Sequence, residues 1–203
     1  MSPLRRLLAA QIPADFADLL DLVAISALLT YDWHTRPVVF AWLAVAMALP
    51  YLVIGPVAGA MVDRVDTRRV LVLSNLGRGL ASATMVFAPD WPTLMILITL
   101  RSSADSFFTP AKQTALQHFA PGDLAVRANG ASHAISQSSK IVAPSLGGLA
   151  LIFLAPSHVF LITAAISVLA AVMLSRLDPL PRPAPSDQPR GLMAELRGGW
   201  EEV

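Results

Sequence analysis

Five ionisable residues fall inside stretches too apolar to offer them water. Asp18 and Asp21 lie in the first such stretch, Arg101 and Asp105 in the fourth, and Lys140 in the fifth. Charged side chains in such surroundings are costly and mark ion or substrate paths. Asp15, Asp18 and Asp21 recur every third residue, so on a helix they share one broad face. Arg101 and Asp105 are four apart, the spacing of an intrahelical ion pair. Lys140 needs an anion, and Asp105 or an aspartate of the first helix is its expected partner. The chemistry this set suits is reversible protonation, because a carboxylate in a low-dielectric site resists ionisation and a nearby cation restores its charge. Asp18 or Asp21 is the expected proton carrier, tuned by Arg101, Asp105 and Lys140. The competing reading is a neutralised network that only fixes helix packing.

Other chemistries lack their residues. There is no cysteine in the 203 residues, so disulfides, thiol nucleophiles and thiolate metal sites are excluded. His34, His118, His133 and His158 are scattered, without metal-ligand spacing. No phosphate-binding G-x-x-x-x-G-K-[ST] loop occurs. No catalytic residue, metal, cofactor or nucleic-acid partner is expected.

The elements that must position the five charges follow from composition. Hydrophobic residues make up 55% of the chain and charged residues 14%, with mean hydropathy +0.59. A soluble domain carries nearer a quarter charged residues, so lipid is the expected solvent for much of the surface. Six apolar runs approach the roughly 20 residues that a helix needs to cross a bilayer. They span Leu7–Tyr31, Val38–Val62, Val70–Ala88, Trp91–Leu116, Asn129–Phe153 and His158–Ser175. Helices are expected because lipid offers backbone groups no partners and each run is far longer than a barrel strand. The aspartates in the first run make it a poor signal peptide.

By helical rise, Asp18 and Asp21 come roughly 16–21 Å from the inner end of the first helix, and Arg101, Asp105 and Lys140 lie at similar depths in theirs. All five should sit near the bilayer midplane. Arg78, about two turns into the third run, reads as a structural residue near the inner interface, its stem snorkelling. With both termini inside the cell, the inner side carries Arg5, Arg6, Arg64, Arg68, Arg69, Lys112, Arg127, Arg176, Arg182, Arg190 and Arg197, against Arg36 alone outside. That bias places both termini in the cytoplasm. Residues 1–176 form a transmembrane bundle. Residues 177–203 form a cytoplasmic Pro-rich linker and the start of an amphipathic segment.

Three motifs carry a family resemblance. Gly59-Ala60-Met61-Val62-Asp63-Arg64-Val65-Asp66-Thr67-Arg68-Arg69 resembles the major facilitator signature G-x-x-x-D-[RK]-x-G-[RK]-[RK]. It matches at Gly59, Asp63, Arg64 and the pair Arg68-Arg69, and departs at Asp66 and Thr67. Gly55-x-x-x-Gly59 reads as a small-residue packing face. Ala143-Pro144-Ser145-Leu146-Gly147-Gly148 resembles the G-P-x-x-G-G motif of proton-coupled antiporters, and Phe107-Phe108-Thr109-Pro110-Ala111 is similar to drug and siderophore exporters. Leu97-x-x-x-Arg101 and Ala17-Asp18 also resemble motifs of that superfamily.

The resemblance implies an all-α membrane protein, six helices as two inverted three-helix repeats, and the amino-terminal half of a twelve-helix transporter. It implies that Asp63 latches one conformation with Arg64, Arg68 and Arg69 around it, and that Pro144, Gly147 and Gly148 kink helix five. The implied function is proton-driven export of a small organic solute by alternating access, in the cell membrane. Its partners would be lipid, the solute, and a second six-helix half or second copy. Metabolite uptake, or a non-transporting scaffold or sensor, are the alternatives.

Overall fold

The computed structural model describes residues 2–62, 64–178 and 180. Six helices make up the bundle: α1 (Pro3–Ala27), α2 (Val38–Val62), α3 (Thr67–Met85), α4 (Trp91–Phe119), α5 (Leu124–Phe153) and α6 (Pro156–Ser175). No strand occurs among the described residues.

Local chemistry sets the helix ends. Ser2 Oγ accepts from Arg5 N–H ahead of Pro3, Asp66 Oδ1 accepts from Arg68 N–H at 3.0 Å, and Asp90 Oδ1 accepts from Thr93 N–H at 2.9 Å. Each cap satisfies a donor that a helix start leaves without a partner. Asp66, where the sequence departs from the family signature, is therefore the cap that starts α3, and it also pairs with Arg69 at 3.6 Å. At its far end α1 widens into a π-helical turn over Leu28–Asp32. Thr35 closes that turn by donating both its N–H and its hydroxyl to Leu29 O at 2.9 Å, and His34 takes a positive φ of 47°.

The second helix matches the expected range. The others differ at their polar ends. α1 begins at Pro3 rather than Leu7, α3 at Thr67 rather than Val70, and α5 at Leu124 rather than Asn129. An apolar run marks what lipid covers, whereas caps and arginines let the helix run on into the interface.

The packing order is an arc. α1 lies between α5 and α6, α3 between α6 and α4, and α2 against α4. Exchanging the first three helices for the last three leaves these neighbours unchanged. α2 and α5 close the two ends of the arc. Arg6 Nη1 donates to Arg176 O at 3.2 Å and Arg68 Nη1 to Leu177 O at 2.9 Å, so the starts of α1 and α3 meet the end of α6. These cations satisfy carbonyls at the negative end of the α6 dipole.

Two apolar cores are stacked along the bundle. One holds Leu7, Ala14, Leu71, Phe108, Leu116 and Leu174, at the end where α1 starts. The other holds Leu20, Ile25, Met85, Leu94, Ile98 and Phe160. On α1, α3 and α4 alike, ionisable residues lie between the two cores: Asp18, Arg78, Arg101 and Asp105. Outside, Trp42, Leu52, Leu80, Leu100, Ile152 and Phe153 are all exposed. An apolar surface on this scale is not that of a soluble monomer.

Two helices, α2 and α6, are long and apolar enough to cross a membrane by composition alone. The other four carry ionisable residues that lower their hydropathy. On α1, α3 and α4 the deepest of these are turned inward and paired, as described next.

Candidate functional site

The charges of α1, α3 and α4 converge into one cluster. Arg101 on α4 donates through Nε to Asp21 Oδ2 at 2.8 Å, and its Nη2 pairs with Asp18. Arg78 on α3 pairs through Nη2 with the same Asp18 oxygen and donates to Ala14 O at 2.9 Å. Its Nη1 lies 3.1 Å from Asp105 Oδ1, and its guanidinium lies 5.2 Å from the centre of the Phe108 ring. Ser82 and Thr163 direct their hydroxyls to Asp21, and Tyr51 directs its own to Asp105. Five of the six helices thus contribute a side chain.

The three carboxylates are not equivalent. Asp21 is 1% exposed and accepts from one guanidinium and two hydroxyls, which makes it the anchor of the cluster. Asp18 is the most open of the three, with 26% of its side chain exposed, and it is the one both arginines share. Asp105 shares Arg78 with it. Two guanidiniums face three carboxylates, so the fully ionised cluster holds one negative charge too many. Such an excess in a low-dielectric layer favours the uptake of one proton or one other monocation.

Several sequence expectations need correction. Arg78 is fully buried at the centre of the cluster, not snorkelling at the interface. Counting depth from the Asp66 cap puts it about 17 Å into α3, and that cap was the signal that could have found it. Arg101 and Asp105 do not pair with each other, since each reaches across to another helix. Lys140 is exposed on α5 and has no ion pair among the described residues, so the expected bond to Asp105 or α1 is absent. Asp15 turns aside from Asp18 and Asp21 and binds Gln11 and Ser136 at 2.8 and 2.6 Å. Tyr51, Ser82 and Thr163 gave no sequence signal, because a lone hydroxyl in an apolar run reveals neither its facing nor its partner.

The motif residues separate likewise. Asp63 lies outside the described residues, and Arg64 is exposed beside it. No described helix approaches Gly55 or Gly59, where an added Cβ would meet nothing within 4 Å. Gly147 does admit a close approach: a Cβ there would lie 3.0 Å from Leu20 Cδ2 and 3.3 Å from Val23 Cγ1. Gly148 and Pro144 instead line an open cleft of about 770 Å³ between α1 and α5, with Val23, Ser26, Thr30 and Asp32.

Comparison with known proteins identifies the family. Residues 7–202 match the family model described as Major Facilitator Superfamily. The uncharacterized MFS-type transporter YfiS of Bacillus subtilis (strain 168) is 34% identical over 171 residues, covering 84% of this chain and 41% of that protein. Macrolide efflux protein A of Enterococcus faecalis is 30% identical over 106 residues, covering 50% of this chain and 33% of its own length. Multidrug efflux pump Tap of Mycolicibacterium fortuitum is 32% identical over 132 residues, covering 60% and 32%. The chain spans about two fifths of YfiS and about a third of the other two.

Proposed function

The chain belongs to the major facilitator superfamily, and from that premise we propose that it is the amino-terminal half of a proton-coupled exporter of a small organic solute. Membership makes it a membrane protein of a transporter family, and the two apolar helices α2 and α6 fit that. In this reading all six helices span the cell membrane as two inverted three-helix repeats, and a second half faces the open sides of α2 and α5. The arginine-rich end, with Arg5, Arg6, Arg64, Arg68, Arg69, Arg127 and Arg176, is cytoplasmic. Relatives named for macrolide and multidrug efflux support export over uptake.

The observation that carries the reading is the unbalanced cluster. With Asp18 protonated, Arg101 keeps Asp21, Arg78 keeps Asp105, and the layer is neutral. With Asp18 ionised, one negative charge is left for the positive group of a solute. Proton and solute then exclude each other, and their alternation at one site gives antiport by alternating access. The proton gradient supplies the energy, and no resident cofactor enters the scheme. Asp63 with Arg64, Arg68 and Arg69 would latch one conformation from the cytoplasmic end.

The test uses the full-length gene product in sealed vesicles loaded with ethidium under an imposed pH gradient. Wild type should move the dye out against its gradient and take protons into the vesicle in exchange. Asp18→Asn should leave at most dye equilibration. Undiminished gradient-driven movement in that variant would sink the proposal.

A further inference from the structure

The chain has two lysines, Lys112 and Lys140, in opposite settings. Lys140 is exposed, whereas Lys112 is only 9% exposed and has no ion pair with a carboxylate among the described residues. The stem of Lys112 is buried while its ammonium reaches water only through one cleft, so a missing anion is incompletely replaced by solvent. The Lys112 Nζ lies 5.6 Å from the centre of the Phe108 ring, which compensates only part of that cost. The residue lines an open cleft of about 450 Å³ between α4 and α5, with Gln113, Asn129, Ser132, His133 and Ser136. At seven residues from Phe119, Lys112 stands roughly 10 Å from the arginine-rich end of α4, below the ionic layer.

The hydrogen bonds of the cleft show which groups are spent. Ser132 donates to Gln11 Oε1 at 2.8 Å and Ser136 to Asp15 Oδ2 at 2.6 Å. Asp15, the carboxylate behind this wall, also accepts from Gln11 Nε2 at 2.8 Å. One Asn129 amide hydrogen goes to Ala125 O at 3.0 Å. Among the described residues, the Lys112 ammonium, the Gln113 amide, the second Asn129 hydrogen and the His133 ring meet no acceptor, and Gln113, Asn129 and His133 are exposed and free to turn toward an anion in the cleft. We propose that this cleft is an oxyanion site that binds a carboxylate or phosphate group, with Lys112 as its charge and Gln113, Asn129 and His133 as donors. Lipid headgroups, free phosphate and acidic solutes share that chemistry. The site stands whether or not the Asp18 cluster exchanges protons.

Pyridoxal 5′-phosphate tests it, since its aldehyde condenses with a lysine amine to an imine, releasing water, and borohydride then fixes the adduct for peptide mapping. The full-length protein is labelled in phosphatidylcholine vesicles, with Lys140 as internal reference. Lys112 should label about tenfold faster than exposed Lys140, a modest difference in binding free energy, and pyridoxal lacking the phosphate should show no such preference. Inorganic phosphate should slow labelling at Lys112 and not at Lys140, and Asn129→Asp should abolish that protection by placing a carboxylate in the cleft. Protection by phosphatidylglycerol vesicles without added phosphate identifies a lipid headgroup as the source. Protection by free phosphate alone identifies a soluble oxyanion. Labelling no faster than at Lys140, or unaffected by either form of phosphate, overturns the proposal. So does protection that persists unchanged in Asn129→Asp.

Discussion

Arg101 Nε donates to Asp21 Oδ2 across 2.8 Å, tying α4 to α1 at the level where the two apolar cores meet. Ser82 from α3 and Thr163 from α6 complete the shell of Asp21. This carboxylate therefore joins the four helices at the middle of the arc. Asp21→Ala should destabilise the full-length protein by about 3 kcal/mol, because it leaves the Arg101 guanidinium buried with one partner fewer. Thr163→Val removes one hydroxyl donor and should cost about 1 kcal/mol. Thermal unfolding in detergent measures both, and an unchanged midpoint for Asp21→Ala contradicts the anchoring role.

Asp18 sits in the same cluster and should behave oppositely. Asp18→Asn removes the surplus negative charge and leaves two carboxylates for two guanidiniums. The amide oxygen can still accept from Arg78 or Arg101. The variant should fold with a midpoint equal to wild type or higher, by up to about 1 kcal/mol of equivalent stability, while losing proton coupling. A variant that is both unfolded and inactive would assign Asp18 to structure alone.

The contrast between Asp18 and Asp21 shows where sequence reading stops. Both aspartates were legible as charged groups at mid-depth, since depth follows from counting helical rise along an apolar run. Their division of labour was not, because it depends on which residues of α3 and α6 cross α1 at that height. Arg78 was misplaced for a related reason: the apolar run of α3 starts four residues after its cap. Helix number and type were legible because six long apolar runs admit few alternatives. Lys112 read as one more inner basic residue, since burial of an amine leaves no trace in spacing.

Away from the membrane-spanning segments, Asp90 gives a pH prediction. The Thr93 hydroxyl and then the Thr93 N–H, which donates at 2.9 Å, hold its carboxyl below the usual carboxylate range. A depressed folded value means the cap's contribution is fully present above the unfolded carboxylate range. It is lost as pH falls through the folded one. Asp90→Asn keeps a capping oxygen without the titration. It should flatten the acid limb of stability against pH and leave stability at neutral pH nearly unchanged. Identical acid limbs in the two proteins would remove Asp90 from that role.

Gly147 and Gly148 are adjacent in sequence yet should respond in opposite directions. A Cβ on Gly147 would press on Leu20 and Val23 at 3.0 and 3.3 Å, while one on Gly148 would meet nothing within 4 Å. Gly147→Ala forces two side chains of α1 to shift, and Gly147→Val adds two methyl groups that the interface has no room for. The valine variant should lose about 1–3 kcal/mol by overpacking. Gly148→Ala gains helix propensity without a clash and should stabilise α5 by up to about 1 kcal/mol. Unfolding midpoints of the three variants, in the same full-length protein, give the order directly. If alanine at 148 proves as damaging as valine at 147, then a surface beyond the described residues covers Gly148, and the open cleft beside it is filled in the full-length protein.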